Sequence, residues 1–132
     1  EVISGAETSS VVAETIKGLS LKIGKTPIMC KDSPGFIVNR VARHYYVESL
    51  KMLEENVTTP EAIDALMESA GFKMGPFKLM DHVGNDINFA VTSSLYEYFH
   101  GDAKFRPSLI QQQKVDAGHL GKKSGKGFYR YD

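Results

Sequence analysis

The Pro34-Gly35 pair, within Lys31-Asp32-Ser33-Pro34-Gly35-Phe36-Ile37-Val38-Asn39-Arg40, constrains the fold of this chain more than any other feature. Proline has no N–H to give to a sheet ladder and biases Ser33 away from helix, while Gly35 permits a sharp turn, so an extended segment ends here and a helix begins. The two sides of this break differ in kind. Upstream, Glu1-Val2-Ile3 reads as the end of a strand, and Thr8 and Ser9 are candidate N-caps for a helix to about Leu21. Val12, Ile16 and Leu19 form its apolar stripe, Gly24 ends it, and Thr26 to Cys30 suits a short buried strand. Residues 1–30 therefore read strand, helix, strand, which covers too little apolar surface to be stable alone.

Downstream the pattern is helical throughout. One helix is predicted from Phe36 to about Glu55, with Val38, Val41, Ala42, Tyr45, Met52 and Leu53 on one face and Phe36, Val47 and Leu50 on a second. A helix apolar on two sides is buried both against its own domain and against something else. Thr58 with Glu61 makes a capping box, or Thr59 caps with Pro60 at the first helical position, and Gly71 is the stop. Gly75-Pro76 starts a short helix through Val83, Asn85 or Asp86 caps another to about Phe99, and Pro107 opens a last one to about Ala117. The tail from Gly118 is rich in Gly and Lys, and its aromatic end, Phe128-Tyr129-Arg130-Tyr131, is expected to pin it to the helices.

Composition narrows the function classes. At 132 residues, 42% hydrophobic and 24% charged, the chain is long enough for a domain with a core. Sixteen basic and sixteen acidic side chains cancel, so no net field favours nucleic acid or an anionic membrane. No stretch approaches the roughly 18 apolar residues of a membrane span. The single cysteine, Cys30, sits in an apolar run and is expected to be a buried structural thiol in a reducing compartment. Opening on Glu1 within a strand, the sequence reads as a fragment.

Several familiar motifs fail. Gly121-Lys122-Lys123-Ser124-Gly125-Lys126-Gly127 lacks the spacing of a phosphate loop and has no preceding strand, so a flexible basic turn is the plain reading. No G-x-G-x-x-G and no G-x-S-x-G occurs. His44, His82, His100 and His119 are scattered, so no metal site is expected. The acids between Asp81 and Asp86 do not follow a calcium loop and are expected to cap helices. Asn39 falls one turn into a helix among Phe36, Ile37, Val38 and Val41. It either braces a domain junction or serves a site, and burying its amide unsatisfied would cost about 1–3 kcal/mol.

Four separated blocks, in order, carry a resemblance. Glu1-Val2-Ile3, the Lys31 to Arg40 stretch, Met74-Gly75-Pro76-Phe77-Lys78-Leu79-Met80-Asp81 with Gly84 and Asp86, and Gly121 to Tyr129 together resemble the L-3-hydroxyacyl-CoA dehydrogenase family over the whole chain. The resemblance implies a mainly α fold: a helical carboxy-terminal dehydrogenase domain, residues 33–132, that covers substrate and dimerises. Before it, residues 1–32 would be the strand-helix-strand remnant of a Rossmann domain. It also implies NAD as cofactor, an acyl-CoA substrate, a homodimer, and a location in the cytoplasm or, in a eukaryote, the mitochondrial matrix. Glu1 matches the family's Glu partner of a general-base histidine, which lies upstream of this sequence together with the Gly-rich loop and an active-site serine. Asn39 matches the substrate-side Asn, and Lys123 a tail lysine that reaches the cofactor. One departure is Asn85, where the family often has Leu.

These roles suit the residue types. An imidazole with a pKa near about 6.5 can take the hydroxyl proton as hydride leaves, and a carboxylate on its far nitrogen fixes the tautomer. An amide can donate to the oxygen where charge changes, and a lysine suits an anionic or carbonyl-rich cofactor. Two functions are therefore expected to compete. One is the carboxy-terminal part of an NAD-dependent 3-hydroxyacyl-CoA dehydrogenase, itself inactive. The other is a helical dimerisation module without chemistry.

Overall fold

The computed structural model describes all of residues 1–132. The chain forms two compact units, Glu1–Val41 and Ala42–Asp132. In the first, strands β1 (Val2–Ser4) and β2 (Met29–Lys31) pair in parallel, Val2 opposite Met29 and Ile3 opposite Cys30. Parallel pairing requires a long crossover, and helix α1 (Ser10–Lys22) supplies it. Ser9 is the cap, its hydroxyl accepting from the Val12 N–H, and Gly24 takes the left-handed conformation beyond the end. Only Ala13 of α1 is buried, whereas Val12, Ile16 and Leu19 remain 44–55% exposed. The stripe exists, yet nothing in this unit covers it. Cys30 is half-buried rather than enclosed, and its thiol donates to the Lys31 carbonyl.

The helix expected over residues 36–55 is two helices, α2 (Val38–Val41) and α3 (Arg43–Glu54). Gly35 and Phe36 take positive φ in succession, 72° and 46°, which delays the helical start to Val38. The tight Tyr45 N–H to Ala42 carbonyl bond marks the second break. The expected faces are redistributed accordingly. Val38 and Val41 are exposed, while Arg43, Tyr46, Val47 and Leu50 make one buried face of α3.

The second unit packs Tyr46 and Leu50 against Ile63 of α4 (Pro60–Ser69) and Phe77 and Met80 of α5 (Pro76–Val83). Thr59 caps α4 ahead of Pro60, resolving the choice between the two threonines. Helix α6 (Asn85–Tyr98) begins directly after Gly84, which occupies the cap position with φ 108°, so neither Asn85 nor Asp86 is the cap. Helix α7 (Leu109–Asp116) is capped by Ser108 and begins at Leu109, two residues later than Pro107 suggested. The fold is thus mainly α with a small parallel sheet. None of its helices is long and apolar enough to cross a membrane.

Candidate functional site

In the first unit the Glu1 side chain closes the start of α2. Its Oε1 accepts from the backbone N–H groups of Ile37 (2.6 Å) and Val38 (3.1 Å). The first amides of a helix have no intrahelical acceptors, and here a carboxylate 36 residues away supplies one. Both bonds fall on Oε1, which leaves Oε2 for a second donor. Asn39 follows one residue beyond these amides, on an exposed surface of α2, so its amide carries no burial penalty. The backbone leading into this spot is strained, because a bulky residue such as Phe36 is unfavourable at positive φ. Glu1 and Asn39, widely separated in sequence, are therefore brought to the same short helix.

Lys123 belongs to the second unit. It lies on a tight turn, Lys122–Ser124, of the tail hairpin, and its Nζ is 2.6 Å from Asp86 Oδ1 and 2.7 Å from Oδ2. The hydrogen bond from Lys123 holds the Asp86 carboxyl below its usual range. The hairpin is an ordered strap rather than a flexible turn. Asp81, 1% exposed, accepts from the N–H groups of Phe128 and Tyr129, the Tyr131 hydroxyl and the Asn85 amide. Asp64 accepts from the Tyr129 hydroxyl. Lys114 donates to the Gly127 carbonyl and lies over the Phe128 ring, and burial lowers its pKa.

The glycines of this segment have a packing reason. A Cβ at Gly127 would collide with the Asp81 carboxylate, and one at Gly121 with the Asp81 backbone. Asp81 is thus a strap anchor and not a helix cap, correcting the expectation for the acids of that segment. Asn85 is buried beside it, bonded to Asp81 Oδ1 and the His119 carbonyl, with Gln111 next in the network. Sequence reasoning missed the Asp81 clamp. The signal was present in Gly127, whose φ is not positive and which the turn by itself does not require to be glycine.

Two further features were not anticipated. Arg43, fully buried, donates to the Asn88 carbonyl and Thr92 Oγ1 and so ties α3 to α6. An apolar groove of about 470 Å³ lies between α3 and α4, lined by Tyr45, Met52, Ile63, Leu66 and Met67 with His44 at its side. No cluster of His, Cys, Asp and Glu is arranged to hold a metal ion.

The chain thus combines a helical unit closed by a glycine-spaced aromatic strap with an upstream segment in which Glu1, just before β1, caps the helix that follows Pro34-Gly35. The profile of the 3-hydroxyacyl-CoA dehydrogenase C-terminal domain matches residues 35–131. The chain belongs to that family. It is 53% identical over 130 residues to the 3-hydroxyadipyl-CoA dehydrogenase of Escherichia coli K12, covering 98% of this chain and 27% of that protein. It is 42% identical to a probable 3-hydroxybutyryl-CoA dehydrogenase of Deinococcus radiodurans, covering 99% of this chain and 47% of that one. The crystal structure of a 3-hydroxybutyryl-CoA dehydrogenase from E. coli K12 superposes with a TM-score of 0.92 at 51% identity, over 98% of this chain and 28% of its own. This chain therefore spans less than half the length of these relatives.

Proposed function

We propose that this chain is the carboxy-terminal part of an NAD-dependent dehydrogenase that oxidises the 3-hydroxyl of an acyl-CoA in fatty-acid β-oxidation or a related acid pathway. The observation that carries the reading is that the Glu1 carboxylate is bonded to the start of the short helix that carries Asn39. Residues 1–32 are the terminal strand-helix-strand of the NAD-binding domain, and residues 33–132 the substrate-covering domain. NAD fits the residues present in one respect: Lys123 offers a half-exposed ammonium on an ordered strap, suited to an anionic or carbonyl-rich group. When bound, the nicotinamide supplies the hydride acceptor.

The chain's own residues then have separate tasks. Glu1, held by two amides on one oxygen, turns the other toward the imidazole of a base histidine and fixes its tautomer. Asn39 donates its amide hydrogen to the substrate oxygen from which the proton departs, a bond of the kind worth about 2.7–4 kcal/mol in a transition state. The partners expected are an acyl-CoA and a second copy of the same protein. The cytoplasm, or the mitochondrial matrix in a eukaryote, is the location proposed.

The test is kinetic and uses the full-length dehydrogenase. Glu1→Gln should keep substrate affinity and lower turnover by about a hundredfold or more, the range for loss of a base or its partner. Asn39→Ala should also act on turnover, by about a hundredfold. Wild-type turnover in either variant would remove that residue from the mechanism. The 132-residue chain, which contains no Gly-rich phosphate loop, should itself show no 3-hydroxyacyl-CoA oxidation. Measurable 3-hydroxyacyl-CoA oxidation by this chain alone would overturn that expectation.

A further inference from the structure

The backbone on both sides of Lys123 is fixed independently of its side chain. On one side, the Asn85 N–H donates to the Leu120 carbonyl at 3.0 Å and the Asn85 amide reaches the His119 carbonyl. On the other, Asp81 holds the N–H groups of Phe128 and Tyr129, both at 2.9 Å. What stays undetermined by this framework is the direction of a four-carbon side chain with many rotamers. Asp86, in the first turn of α6, decides it, because both of its oxygens lie within 2.7 Å of Nζ.

Gly84 makes room for this arrangement. A Cβ there would stand 2.9 Å from Asp86 Oδ1, 3.1 Å from Lys123 Nζ and 3.3 Å from its Cε. A methyl there would crowd the end of the lysine and the carboxylate it meets, and the same glycine provides the positive φ that starts α6.

We propose that Asp86 is a positioning residue for the cofactor: it aims the Lys123 ammonium, with Gly84 as the floor, so that the lysine meets the anionic or carbonyl-rich part of the dinucleotide already oriented. This rests on the cofactor role given to Lys123 above. An ammonium held in place loses less rotamer freedom on binding, and the gain appears as cofactor affinity. The pair is only partly shielded, with side-chain exposures of 46% and 33%, so its effect is modest.

Two measurements test it. In the 132-residue chain, the Asp86 carboxyl followed by NMR should titrate below the ordinary aspartate value of about 3.9, and Lys123→Met should raise it. An Asp86 titration indifferent to Lys123→Met would overturn the pairing itself. In the full-length dehydrogenase, Asp86→Asn should weaken NAD binding by about fivefold, the scale of a half-exposed ion pair, with turnover at saturating NAD unchanged. Asp86→Glu should restore part of the affinity, and adding Asp86→Asn to Lys123→Met should cost nothing more.

Three other outcomes overturn the proposal in distinguishable ways. Lys123→Met with unchanged NAD affinity removes the cofactor role and leaves nothing to position. Lys123→Met that weakens binding while Asp86→Asn does not keeps the cofactor role and removes Asp86 from it. Tighter NAD binding by Asp86→Asn would make the carboxylate a competitor for the lysine instead of a guide.

Discussion

Asp81 joins parts of the second unit that lie far apart in sequence. Its carboxylate takes two backbone amides 47 and 48 residues away, a phenol 50 residues away and the neighbouring Asn85 amide. Removing it leaves these donors in a nearly dry environment, where each unsatisfied group costs about 1–3 kcal/mol. Asp81→Ala should therefore destabilise the chain by about 3 kcal/mol, read as a lower urea midpoint. Gly127→Ala should do comparable damage for the complementary reason, since its new methyl occupies the volume of that carboxylate. An unchanged midpoint in either variant would contradict the clamp. The sequence presented Asp81 as one acid among several near a turn, and no local pattern separates a cap from an anchor. Gly121 and Gly127 read in the sequence as parts of a basic turn, and only the fold shows them as the walls around Asp81.

At the scale of elements, several helices begin on carboxylates that their own sequence does not contain. Asp64 of α4 accepts from Phe77 and Lys78 at the start of α5, both at 2.9 Å. Gly75, the residue at the cap position, has no side chain to do so, and a Cβ there would strike Asp64. Glu54 of α3 accepts from the Leu109 N–H of α7 and from Ser108 Oγ. Glu1 does the same for α2. Helix existence was therefore readable from periodicity, Pro60, Pro76 and Ser9, while the partners of the orphan amides were not.

The strap adds an alkaline limit to stability. Burial first, then the hydrogen bond to Asp64, pushes the Tyr129 phenol well above its ordinary range. Burial and the nearby Asp81 charge do the same to Tyr131. A group whose folded pKa is raised contributes stability that is complete below its unfolded pKa, about 10 for tyrosine, and is lost as pH rises beyond it toward the folded value. Lys114 acts in the opposite sense, since burial disfavours its charged form and deprotonation relieves that cost. The net expectation is that the melting temperature falls above about pH 10, and that Tyr129→Phe with Tyr131→Phe flattens the fall while lowering stability at neutral pH. An equal alkaline slope in the double variant would remove the phenols as its cause.

At the scale of the whole molecule, apolar surface remains after folding. Leu66 (69% exposed) lines the groove between α3 and α4, Phe72 (50%) stacks on Tyr45 of the same groove, and Val57 (57%) is exposed on the same unit. Leu95, Val47 and Leu50 are in the core and cannot serve an interface, which narrows the surface first expected from the amphipathic pattern. We expect the chain to dimerise through its helices within residues 36–100, burying roughly 800 Å² per partner. Sedimentation at tens of micromolar should find a dimer, and cross-links should map to those helices. A monomer, or a dimer joined only through residues 1–30, would overturn this expectation.

By itself the sequence determined the order and type of the elements, the break at Pro34-Gly35 and the four blocks that mark the dehydrogenase family. Those depend on turn residues, caps and apolar spacing, which act over a few residues and can be read where they stand. Only the tertiary structure decided that the helix over residues 36–55 divides, that Asp81 anchors the strap, and that Lys123 lies on Asp86. The first is a matter of backbone conformation at Gly35, Phe36 and Ala42, and the other two are electrostatic or steric contacts between positions far apart along the chain. A carboxylate's partners are set by which backbone amides the packed core brings within hydrogen-bonding distance, and that distance is a property of the fold.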